Sequence, residues 1–169
     1  RNTLGILRLN VMKRILILLI LILTLAPLSA SAQSSMDHFF ERHSGEQGYQ
    51  TVVYGKRMLD MMKENASTDV KSLLNRITNI RIISHEQPQD RIIDLARRDM
   101  KNSRKYETIS MINENGNLSE FYISENIGRS KNVSFLMIVS GPQGSAVMEI
   151  IGNFDVKDIS KLSVMGQKR

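Results

Sequence analysis

Four runs of strand-forming residues, Tyr106–Asn113, Leu118–Glu125, Asn132–Ser140 and Ala146–Gly152, follow one another with only short turns between them. Connections that short join antiparallel neighbours, because a parallel crossover needs a dozen residues or more. Asn115-Gly116 lies between the first two runs. That dipeptide accepts the positive φ angles that a two-residue hairpin demands. The G-P-Q-G stretch from Gly141 to Gly144 makes the last turn. The final third therefore predicts an antiparallel meander. Thr108, Ser110, Glu120 and Ser124 fall on one face of its first two runs. Ile109, Met111, Phe121 and Ile123 fall on the other, an alternation that predicts one wet face and one buried face. Asn132–Ser140 is apolar on both parities, which predicts a central strand.

The stretch upstream mixes helical and strand periods. Met36, Phe39 and Phe40 share one side of a helix over 37–43, which Ser44-Gly45 ends. Tyr49–Tyr54 is rich in β-formers. Met58, Leu59 and Met62 recur at helical spacing over Lys56–Glu64. Thr68 or Asp69 caps a short helix reaching Leu74, and Ile77–Ser84 is β-branched. Pro88 suits the start of a helix running to about Ser103, with Ile92, Leu95, Ala96 and Met100 inward. Asp155, with Asp158 three residues on, caps a last helix whose Ile159 and Leu162 face inward. The expected fold is α+β: a two-layer sandwich, mainly antiparallel sheet with a C-terminal four-strand meander, helices packed on one face.

Residues 12–33 carry a different kind of information. Lys13 and Arg14 precede an apolar run from Ile15 to Leu25, and Pro27 stops it. Ala30-Ser31-Ala32 has the small-x-small pattern of a cleavage site. A bilayer span takes about 20 apolar residues, and this run is shorter. The order predicts a cleaved secretory signal over 12–32, with an uncleaved anchor helix as the competing reading. The mature chain, 33–169, is expected to be one domain with no transmembrane span. Residues 1–11 read as an upstream mis-start or a fragment and are left out of the fold reading.

Charge follows the same division. The net charge is +6, but Arg1, Arg8, Lys13 and Arg14 all precede the cleavage site and every acidic residue follows it. The excess on the mature chain falls to +2, which removes the bulk-charge argument for nucleic acid. With no cysteine in the chain, disulfides, thiol catalysis and lipid attachment through cysteine are excluded.

Three stretches together carry a family resemblance: F-F-E-R-H-S-G-E-Q-G-Y-Q-T-V-V-Y-G-K-R-M-L (Phe39–Leu59), N-I-R-I-I-S (Asn79–Ser84) and I-G-N-F-D-V-K-D-I-S-K-L (Ile151–Leu162). The chain resembles the domain-of-unknown-function 4252 family, small exported proteins of Bacteroidetes. The resemblance implies an exported single domain in a cell with two membranes. It brings no catalytic residues.

The residues themselves offer little chemistry. His38 and His43 are five apart, which suits no helical zinc pair, and His85 has only Glu86 and Asp90 nearby. All three are expected at the surface, with no metal and no cofactor. Asn113–Asn117 has the composition of a calcium loop, but aligning Gly116 with the loop glycine puts Met111 and Tyr122 where acidic ligands belong. Neither a nucleophile elbow nor a phosphate loop occurs. Sequence spacing does not show whether Glu120 and Glu149 converge.

Two features stand out as candidate interaction surface. Arg97, Arg98, Lys101, Arg104 and Lys105 form a basic cluster, read either as a solvated helix end that offsets the macrodipole or as a contact for anionic lipid or polysaccharide. Met61 and Met62 are adjacent, so both cannot face inward, and Met61 is expected to be partly exposed. The expectation is a non-enzymatic exported module that binds an envelope protein or an anionic envelope component, periplasmic, outer-membrane-associated or extracellular. A small envelope hydrolase with an unrecognised site and a peripheral membrane-surface protein are the alternatives. N-terminal sequencing of the exported protein should begin at Gln33; a secreted chain that still carries Ile15–Leu25 would show an anchor instead.

Overall fold

The computed structural model describes residues 36–158 other than 89, 128–130 and 156, all in the compact unit Ala32–Arg169. Among the described residues, four helices and six strands follow in the order α1 (Asp37–His43), β1 (Gln50–Gly55), α2 (Lys56–Met62), α3 (Thr68–Arg76), β2 (Ile77–His85), α4 (Asp90–Ser103), β3 (Glu107–Glu114), β4 (Asn117–Ile127), β5 (Asn132–Gly141) and β6 (Gly144–Gly152). The strands make one sheet in the order β1-β2-β6-β5-β4-β3, and every neighbouring pair is antiparallel. The expected meander is β3 to β6, and β5 lies inside the sheet. The last helix expected after Asp155, with Ile159 and Leu162, lies largely outside the described residues.

Turn chemistry sets the register. Asn115 and Gly116 take φ of 52° and 79°, as a type I′ hairpin requires. β2 and β6 meet closely at their far end, where Ile77 pairs with Gly152. A Cβ on Gly152 would lie 2.2 Å from the Arg76 carbonyl oxygen and 2.8 Å from Ile77 Cα.

The helices lie on both faces of the sheet, which corrects the expectation of a two-layer arrangement. One core joins Phe39 and Phe40 of α1 and Ile92, Ile93, Ala96 and Met100 of α4 to Ile83, Tyr122, Leu136, Ile138 and Val147. The other joins Leu59 of α2 and Leu73 and Leu74 of α3 to Phe135, Ile150 and Phe154. Leu136 and Phe135 are consecutive on β5 and so point to opposite faces. The doubly apolar β5 carried this information: a strand apolar on both parities needs cover on both sides.

The expectation of one wet face fails as well: Glu120 and Ser124 are 3% and 2% exposed, and Phe121, of the other parity, packs in the second core. A bulge between Thr108 and Ser110 changes the parity of β3, so Met111, not Ser110, pairs with Glu120. Gly116→Val should lower stability by about 1 kcal/mol, because a β-branched residue resists positive φ, while Gly152→Ala should cost more through direct overlap with backbone. Urea midpoints of the two variants test both claims, and an unchanged midpoint for either would refute the corresponding turn or contact.

Candidate functional site

The α1/α4 face of the sheet buries two carboxylates, and each is answered by an arginine. Glu149 on β6 is 0% exposed. Its Oε1 accepts hydrogen bonds from Ser134 Oγ at 2.5 Å and Tyr106 Oη at 3.2 Å. Its Oε2 accepts from Arg81 Nε at 3.1 Å and also from Arg81 Nη2. Arg81 reaches Asp37 of α1 at 2.5 Å, and its guanidinium lies 4.5 Å from the centre of the Phe40 ring. Burial opposes the charge on Arg81, but Glu149 and Asp37 outweigh it and hold its pKa above the ordinary value.

Glu120 on β4 anchors the second set. Its Oε2 accepts from Arg97 Nε at 2.8 Å and Nη2 at 2.5 Å. Its Oε1 accepts from Tyr122 Oη at 2.8 Å. The two donors of Arg97 form a fork on one carboxylate oxygen, a geometry that lysine cannot reproduce. The hydrogen bond to Glu120 raises the Arg97 pKa against the pull of burial. Arg97 is therefore a strut between α4 and β4, not a free surface cation.

A cavity of about 360 Å³ opens beside this strut, between the end of α4 and strands β3 and β4. Lys101 and Arg104 stand at its rim, and Met100, Tyr106, Thr108 and Met111 line its wall. The Arg97–Glu120–Tyr122 set forms part of the same lining. The three basic residues fall at i, i+4 and i+7 from Arg97, so they line one stripe of the helix and its exit. Lys101 and Arg104 make no ion pair among the described residues. Arg104 ends α4 in the left-handed region, at φ 53°. Glycine takes that position without strain, whereas an arginine there costs conformational energy and places a cation at the cavity rim.

The structure divides the sequence-derived candidates. Arg97, Lys101 and Arg104 come together around the cavity. Arg98 is exposed beside Asp99, at 3.3 Å, and Lys105 is exposed outside the cavity lining. Met61 is 64% exposed, but it lies on α2, whose packing is with the opposite face of the sheet. Tyr106, Thr108 and Met111 complete the cavity and were not singled out from the sequence. Only the α4 stripe spacing could have pointed to the site; the bulge that swings Met111 toward it leaves no local signal.

The histidines separate as well. His38 is exposed, and the Gln87 N–H donates to His85 Nδ1 at 3.0 Å. His43 is not at the surface as expected: it is 4% exposed, packs against Phe39, and donates from Nδ1 to Glu46 at 2.8 Å. That hydrogen bond, with another from Arg91, lowers the Glu46 pKa. Among the described residues no three His, Asp or Glu side chains converge as a metal set.

The fold defines an α+β domain on a six-stranded antiparallel sheet, with a basic cavity at one sheet edge. The family model described as a domain of unknown function (DUF4252) matches residues 41–162, and the chain belongs to that family. No curated protein and no solved structure matches the chain.

Tyr122 gives the site a pH signature. Burial, reinforced by the hydrogen bond to Glu120, pushes its pKa up to about 12 from 10.0. The folded protein thus keeps a proton that the unfolded chain releases. The stability from neutral Tyr122 is complete below about pH 10 and is lost as the pH rises toward 12. Tyr122→Phe should cost about 1 kcal/mol at neutral pH and flatten the alkaline fall in stability. Urea unfolding across that range checks this, and identical alkaline slopes for the two proteins would remove Tyr122 as the linked group.

Proposed function

We propose that this chain is an exported binding module that holds an envelope partner at the end of α4 and the neighbouring edge of the sheet. One observation carries the reading: Lys101 and Arg104, unpaired among the described residues, share a cavity with β3, an edge strand with seven of its eight residues exposed. Ile109, Met111 and Ile112 on that strand are 42%, 58% and 50% exposed. Met111 lies on the cavity face beside these cations and Ile112 on the other face of the edge strand, and exposed apolar side chains next to cations without an ion pair among the described residues suit a macromolecular contact. Export rests on the order of positive residues, short apolar run and Ala30-Ser31-Ala32. No helix among the described residues is long and apolar enough to cross a membrane.

Arg97 is excluded from the contact surface proper, because removing it would strip Glu120 of its partner. Arg104→Gly is the clean probe: it removes a cation from the rim and relieves the left-handed backbone. Affinity capture from the native envelope fraction, read by mass spectrometry, should lose its specific partner with Lys101→Gln plus Arg104→Gly and keep it with Met61→Gln. Equal recovery by all three proteins would overturn the proposal.

A further inference from the structure

We infer that the partner enters as an extended, acidic peptide segment that adds a seventh strand to the sheet along β3, with a carboxylate over Lys101 and Arg104. The inference rests on the binding surface proposed above and names its occupant. β3 ends the strand order, and no described strand pairs with its outer side. An edge strand turns a row of unpaired N–H and C=O groups outward, a template for another chain. Edges are usually blunted by proline, charged side chains, a bulge or a covering element. Glu107–Glu114 contains neither proline nor lysine, its two charges stand at its ends, its bulge is confined to Thr108–Ser110, and its exposure shows that no described element covers it.

Charge selects the chemistry of the incoming segment. Thr108 and Met111 lie on the sheet face that carries the cavity. A residue paired opposite Met111, in the middle of β3, would point to that same face, toward the cavity that Lys101 and Arg104 rim. Glu107 and Glu114, at the two ends of β3, disfavour an acidic residue directly beside either end. One acidic side chain placed opposite Met111 therefore satisfies the rim, while its apolar neighbours, which point to the other face, meet Ile112. The bulge at Thr108/Ser110 does not close the edge; it sharpens the local twist, which a flexible peptide follows more readily than a second rigid sheet.

The test uses the protein recovered after expression of the full chain and a blocked ten-residue peptide of alternating threonine and valine with one central glutamate. NMR titration and amide hydrogen exchange read binding and its place. The peptide should bind and slow exchange of β3 amides. A lysine in place of the glutamate should weaken binding by about tenfold, and Lys101→Gln or Arg104→Gly by about three- to tenfold each. N-methylation of the peptide amides on its pairing edge should abolish binding. Equal affinity for the glutamate and lysine peptides, or binding without β3 protection, would overturn the inference. So would Arg104-dependent binding to phosphatidylglycerol vesicles with no binding of the peptide. If the peptide fails while envelope capture still depends on Lys101 and Arg104, strand addition alone falls; if that dependence is absent too, the binding surface itself falls.

Discussion

Two carboxylates buried on one sheet face govern this structure. Glu120 and Glu149 are 3% and 0% exposed, and an unpaired carboxylate at such depth would be strongly destabilising. Arg97 of α4 and Arg81 of β2 answer them. Arg81 also holds Asp37 at the start of α1, and Tyr106 joins Glu149 from the α4–β3 connection. The apolar core supplies bulk stabilisation, about 1.5–3 kcal/mol for each large side chain fully buried. Hydrophobic burial alone, however, tolerates a helix sliding over a sheet. A forked hydrogen-bonded ion pair does not.

The candidate site is a consequence of that constraint. Once Arg97 sits on Glu120, the next turns of the same stripe must carry Lys101 and Arg104 over the edge of the sheet. The left-handed exit at Arg104 turns the chain toward Tyr106, which enters the Glu149 network before β3 begins. Buried polar order and the exposed basic rim are thus parts of one arrangement. Among the described residues nothing covers β3, and its Met111 lies beside cations that make no ion pair there.

Much of this fold can be read directly from residue patterns. Asn115-Gly116 marks its hairpin because few other dipeptides accept two positive φ angles. The apolar stripe of α4 is visible because Ile92, Ala96 and Met100 recur at helical spacing. Faces were harder. Glu120 and Ser124 look like solvent-facing positions, and only partners distant in sequence bury them: Arg97 is 23 residues from Glu120, and Arg81 is 68 from Glu149. One extra residue in β3 moved Met111 to the cavity side, and bulges have no reliable local signature. His43 is buried because α1 turns it inward beside Phe39, although its spacing from His38 looked unremarkable. The basic cluster was visible as composition, but its division into strut, rim and solvated residues depends on tertiary contacts.

The central claim is that the Arg97–Glu120 pair positions α4, and a double-mutant cycle measures it most directly. Arg97→Met should destabilise by about 3–5 kcal/mol, since it leaves the Glu120 carboxylate buried without its cation, whereas Glu120→Leu should cost less, because Arg97 is 27% exposed and keeps Asp94 at 3.5 Å. The double variant should recover most of that loss, because two apolar side chains of similar size can pack in the same space. Additive losses, with no coupling between the two positions, would contradict the account.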